Sequence, residues 1–273
     1  MTVFTTKGHI ALRVTLGGGE VTVEGSEEPG VEIELVPLRD NEITRQVIAE
    51  ARIEMTDRGG GHEIVVQLEK KSGVIIIGRG PKVGVRVRCP RGSDLDVRAG
   101  SADIDVTGTL GEVTVKTASG DVSLDDVARL SVDTASGDVR VRDVEGAFEL
   151  RTASGDASMR RCGGILSANL VSGDLSVEEA VAGLAVTTVS GDVRVHAAGG
   201  GGMRVQSVSG DVRLAIKPGE RLYIDASSVS GTMSSELGLE DAPPTDSTSP
   251  VSELRVRTVS GDLQIVRATA VGA

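Results

Sequence analysis

Beyond residue 90 the chain alternates apolar and polar residues in short runs, the period of a β-strand and not of a helix. Ahead of a recurring Ser stand Val113 and Val115, Leu130 and Val132, Phe148 and Leu150, Leu184 and Val186, and Leu254 and Val256. After it come Val122/Leu124, Val139/Val141, Leu175/Val177, Val193/Val195, Val212/Leu214 and Leu263/Ile265. Between the runs lies Ser-Gly-Asp, whose corner pairs are Ser119-Gly120, Ser136-Gly137, Ser154-Gly155, Ser172-Gly173, Ser190-Gly191, Ser209-Gly210 and Ser260-Gly261. A degenerate SAD starts at Ser101 and an SGT at Ser230, so successive starts are 18, 17, 18, 18, 18, 19, 21 and 30 residues apart. Each unit therefore reads as two short strands meeting at a Ser-Gly corner, with a second corner marked by Gly111, Gly146, Gly164, Gly183 or Gly200. One such unit cannot bury its apolar face alone, so the units must stack. The pattern predicts an all-β fold, a single-stranded parallel β-helix or solenoid of about nine 18-residue coils over residues 91–267. Gly at the corner has a direct cause, because a tight turn between strands often needs a positive φ that only Gly adopts cheaply.

The first 90 residues follow another rule and predict a β-rich N-terminal cap over 1–90, with strands at HIALRVTL, EVTVEG, VEIELV, RIEMT, EIVVQLE, VIIIG and VGVRVRC and no 18-residue repeat. One short helix is expected in NEITRQVIAEA, with Asp40 as its cap and Ile43, Val47, Ile48 and Ala51 at helical spacing. Such a cap would cover the first coil, since an open solenoid end invites aggregation. Near the other end, ELGLEDAPPTDSTSP reads as a solvated loop insertion at about 235–252, and 268–273 as a tail.

Composition narrows the function. Phe4, Phe148 and Tyr223 are the only aromatics, there is no Trp, and 36 residues are Gly, so the core must be thin layers of aliphatic side chains. A net charge of −11 with few basic clusters argues against nucleic acid or an anionic membrane surface as a partner. No run approaches a spanning helix, and the start MTVFTTKGHIALRV lacks the basic and apolar regions of a secretion signal, so the expectation is a cytoplasmic protein without membrane insertion. Cys89 and Cys162 form no CxxC pair and read as buried hydrophobes.

Asp103, Asp121, Asp138, Asp156, Asp174, Asp192, Asp211 and Asp262 should align in one column of carboxylates. Unit charges ~4.8 Å apart repel by about 0.9 kcal/mol in water, so something must relieve the column. The first explanation is that each Asp accepts hydrogen bonds from turn N–H groups or a corner Ser hydroxyl. The alternative is calcium, which takes six to eight oxygens, but the second corners DDVARL, RRCGGI, EEAVAG and HAAGGG repeat no Asp at a fixed place. The scattered His9, His62 and His196 form no zinc set, and GGGE, RGGGH and AGGGGM lack the GxxxxGK[ST] of a phosphate loop and read as turns. The recurring Ser has no GxSxG elbow, and Thr117, Thr134, Thr152, Thr188 and Thr258 share the inward parity and read as corner packing.

The phrase VRVRCPRGSDLDVRAGSADIDV, followed by serial TASGDV units, resembles the bacterial β-strand-repeat family of unknown function that carries an adhesin label and is grouped with the toast-rack domains. The resemblance rests on the Pro90–Gly92 turn leading into a strand and on the repeated corners, and covers most of the chain. It implies a β-solenoid without a known catalytic site, some of whose relatives attach to membrane segments in envelope-stress systems. The reading that follows is a non-catalytic scaffold or protein-interaction module without a cofactor, binding an unknown protein or itself. Outward Arg140, Arg142, Arg151, Arg160 and Arg194 beside Asp125, Asp126 and Glu178 suit protein contact. The alternatives are a calcium-binding surface or adhesion module using the Asp column, and a carbohydrate-active β-helix enzyme.

Overall fold

The computed structural model describes residues 1–68, 80–237 and 252–268, and the chain forms two compact units, Met1–Val141 and Arg142–Ala273. Unit 1 contains β1 (Thr2–Phe4), β2 (His9–Ser26), β3 (Val31–Pro37), α1 (Glu42–Ala49), β4 (Arg52–Arg58), β5 (Gly61–Leu68), β6 (Val83–Pro90), β7 (Asp94–Ser119) and β8 (Val122–Ser136), and ends within β9 (Val139–Val144). In unit 2 follow β10 (Phe148–Ser154), β11 (Ala157–Cys162), β12 (Leu166–Ser172), β13 (Leu175–Ala180), β14 (Leu184–Ser190) and β15 (Val193–Ala198). Its remaining strands are β16 (Met203–Ser209), β17 (Val212–Ile216), β18 (Leu222–Ser230), β19 (Met233–Ser235), β20 (Ser252–Ser260) and β21 (Leu263–Arg267). The fold is an all-β parallel solenoid, as the alternation predicts. The expected strand VIIIG at 74–78, most of the 235–252 loop and residues 269–273 of the tail lie outside the described residues.

In unit 2 each coil lies on the next in parallel and in register: Leu150 opposes Ala168, Ala168 opposes Val186, Val186 opposes Val205, and Val205 opposes Val256. Each of these residues is buried. A slip of one residue would turn this whole column outward, so the apolar parity itself fixes the register. Phe148 is the one buried aromatic among the described residues, which leaves the interior to aliphatic layers.

Unit 1 departs from the sequence reading of the cap. Strand β2 is itself a coil: Ala11 to Glu24 run parallel to Asp94 to Thr107 of β7. Its corner is GGGE, with Gly18, Gly19 and Glu20 opposite Ser101, Ala102 and Asp103. On the other edge of β2, β5 and β6 form a further parallel coil. The repeat is thus present before residue 90, hidden because the corner lacks Ser and Asp and because residues 27–60 intervene between neighbouring coils. True capping structure does exist, since β3 runs antiparallel to β6 and β4 antiparallel to β5, with β1 on β3. The two-residue β4–β5 turn is Gly59-Gly60, at φ +52° and +104°, where L side chains are disfavoured. The helix forms as expected but is capped by Asn41, whose Oδ1 accepts the Thr44 N–H at 2.7 Å. Asp40 instead pairs with Arg45, because it lies one residue too early to reach the first turn.

Unit 2 also departs from sequence order. Strands β20 and β21 lie directly on β16 and β17, and β18 and β19 pair with β20 and β21. The coil of residues 252–267 is therefore inserted between 203–216 and 222–235, whereas the repeat count places it after both.

Candidate functional site: the corner column

Each corner is held by its geometry before any function is asked of it. Gly137 has φ +113°, and a Cβ there would sit 2.2 Å from the backbone oxygen of Gly120, so no other residue fits. Behind the corner three buried Thr hydroxyls turn back onto the chain: Thr117, Thr134 and Thr152 donate to the carbonyls of Ser119, Ser136 and Ser154 at 2.9–3.0 Å, whereas the buried hydroxyls of Thr188 and Thr258 have no hydrogen-bond partner among the described residues. The corner Ser side chains contribute less, the Ser136 hydroxyl reaching the Ala118 oxygen only at 3.5 Å.

Within each unit the carboxylates do form a column, and the structure shows what relieves it. In unit 1 the Asp121 N–H donates to Asp103 Oδ1 at 3.1 Å and the Asp138 N–H to Asp121 Oδ1 at 2.9 Å. In unit 2 the same bond links Asp174 to Asp156, Asp192 to Asp174, Asp211 to Asp192 and Asp262 to Asp211, at 2.8–2.9 Å. Thr232 N–H extends it onto Asp262 at 2.8 Å. The donor is the backbone of the neighbouring coil and not the Asp's own turn, so each carboxylate clamps one coil to the next. Arginines take the second oxygens: Arg140 spans Asp121 (3.8 Å) and Asp138 (2.8 Å), and Arg194 spans Asp174 (3.5 Å) and Asp192 (2.5 Å).

Other titratable groups are also held inside the fold. Burial pushes the Cys89 thiol up to about 11 and raises that of Cys162, so both stay protonated at neutral pH. His9 meets Asp94 at 2.8 Å and His62 meets Asp57 at 2.7 Å. Among the described residues no three His, Cys, Asp or Glu side chains are gathered to hold a metal ion. At the second corner of unit 2, Glu179 accepts from Lys217 at 2.6 Å and from Arg161 at 3.1 Å. The Lys217 hydrogen bond, ahead of the attraction of both cations, holds its carboxyl below the usual range. The sequence pattern had not singled out this trio, whose members lie in three different coils.

A second column stands on the outer surface. The residue before each corner Ser points outward; it is Ala118 and Ala135 in unit 1 and Ala153 in the first coil of unit 2, but Val171, Val189, Val208, Val229 and Val259 in the later coils of unit 2. These valines are exposed, from 47% at Val189 to 83% at Val229. They flank Asn169, Thr187 and Gln206, which stack in register. The corresponding pair in unit 1 is Lys116 opposite Asp133. The change from Ala to Val before the corner Ser marks this column in the sequence, but the outward residues singled out there were the charged ones.

Residues 9–266 match the profile of a family described as Toastrack DUF4097. Among solved structures, a presumed cell adhesion protein from Clostridium sporogenes is 11% identical, over 95% of this chain and 92% of that one, with a TM-score of 0.27. A presumed adhesin from Bacteroides fragilis is 9% identical, over 97% and 95%, with a TM-score of 0.45. No curated protein matches the chain. Among the described residues no helix is long and apolar enough to cross a membrane.

Proposed function

The chain belongs to the Toastrack family, whose function is unknown, and from that premise we propose that it is a non-catalytic scaffold, a protein-interaction module whose contact face is the outward valine column of unit 2. The observation that carries this reading is the pairing of exposed Val171, Val189 and Val208 with the neutral Asn169, Thr187 and Gln206, a stretch that ends where Arg257 stands beside Val259. An apolar stripe with a polar, uncharged margin suits a protein interface, where charged residues are depleted at the centre. The corner carboxylates support the same reading from the other side, because hydrogen bonds and arginines already engage them in stacking the coils.

A photo-crosslinking residue at Val208, in the full chain expressed in its own cells, tests the proposal. A discrete protein adduct is expected, and it should disappear when Val171→Lys and Val189→Lys are added while the thermal midpoint stays unchanged. A crosslink pattern no different from one placed at Arg151 would overturn the reading, as would cleavage of a polysaccharide by the purified chain.

A further inference from the structure

The outer coil of unit 2 is unlike every other coil in that unit. Strand β18 pairs with β20 along Leu222 to Ser230 and β19 pairs with β21, and among the described residues no strand pairs with the far edge of either. Its inward residues Leu222, Ile224 and Ala226 are only half-buried, whereas Leu254 and Val256 on the coil beneath are fully covered. Natural sheet edges are blunted by Lys, Pro or a bulge. The sequence LYIDASSVS of β18 and MSS of β19 has no Lys or Pro, and its one charge, Asp225, lies 3.3 Å from Arg255. On a chain of net charge −11, this edge is nearly neutral.

We propose that this edge docks a second copy of the chain, β18 pairing antiparallel with β18 of the other copy about a two-fold axis at Ala226. This deepens the reading of the chain as an interaction module and rests on it. The strand is self-complementary in that register: Leu222 opposes Ser230, Tyr223 opposes Val229, Ile224 opposes Ser228 and Asp225 opposes Ser227. No like charges meet. Tyr223 and Val229, exposed by 60% and 83%, form an aromatic to β-branched cross-strand pair once at each end of the strand. A two-fold arrangement uses the same patch on both copies and closes after two. The chain's own segment 238–251 is a poorer occupant. It holds Pro243, Pro244 and Pro250, which lack the N–H an edge needs, and the acids Glu240, Asp241 and Asp246.

Sedimentation equilibrium of the full chain from micromolar to millimolar concentration tests this. A monomer–dimer equilibrium is expected. Tyr223→Lys with Val229→Lys sets Lys against Lys twice and should weaken the dimer by about tenfold or more, with the circular dichroism spectrum unchanged. Tyr223→Lys with Val229→Glu sets opposite charges together and should restore it, with a dependence on salt. A chain that stays monomeric throughout overturns the proposal and leaves segment 238–251 or another protein as the occupant. A dimer indifferent to the double Lys variant, or not restored by the Lys/Glu variant, overturns the register and with it the proposal. If the edge fails while the crosslink at Val208 persists, the interaction module stands and only its partner here is wrong; if both fail, both readings fall.

Discussion

The outermost coils of the two units have the same construction and opposite surroundings. In unit 1, β5 and β6 bury Ile64, Val66, Leu68, Val85 and Val87, because β4 and β3 lie antiparallel along them. In unit 2, no residue of β18 or β19 is buried. Alternation alone therefore does not make an interior. An inward residue becomes core only when a further strand lies beyond it, and in unit 1 β3 and β4 serve that purpose.

One residue type allows this contrast to be measured directly. Ile64→Ala removes fully buried methylenes and should cost about 3 kcal/mol, while Ile224→Ala should cost about 1 kcal/mol or less in the monomer, both read from urea unfolding. Equal losses would show that the edge of unit 2 is covered in solution. A smaller effect separates the corner columns from the outer coils. Asp192→Ala strips the acceptor from the Asp211 N–H and the partner from Arg194, and should cost about 1 kcal/mol; Asp192→Asn keeps the acceptor and should cost less. Excess calcium over chelator should leave the thermal midpoint of the parent unchanged, since these oxygens serve the neighbouring coil.

The smallest effect is on pH dependence. The carboxyl of Glu179 is held below its ordinary 4.5, so its stabilisation is complete above that value and is lost as pH falls through the folded-state value. Glu179→Gln should flatten the acid limb of midpoint against pH. In unit 1 the exposed Glu54, lowered by its hydrogen bond from Arg52, should give a weaker response on the same substitution.

Much of this was legible from the chain. Period-two alternation and a Gly at all but the first of the Ser corners specify a parallel solenoid, because each follows from a local steric demand. The Asp column was legible as an alignment and as a set of hydrogen-bond acceptors. Its donors were not, since they come from a neighbouring coil. The coil of β2 was missed because Gly18-Gly19-Glu20 satisfies the backbone of a corner without its side chains. The place of β20 between β16 and β18 was missed for a deeper reason: equivalent coils have interchangeable edges, so nothing in an 18-residue unit records which neighbour it will meet.

That interchangeability has a consequence for synthesis on the ribosome. Residues 222–235 leave the exit tunnel before residues 252–267, yet their final partner is the later segment. Meanwhile the edges of β16 and β17 are complete and offer the same parallel ladder. The earlier segment must either wait or dock there and be displaced. Unit 2 is thus completed only once residues 252–267 have been made, and their insertion competes with a near-identical pairing of the earlier segment.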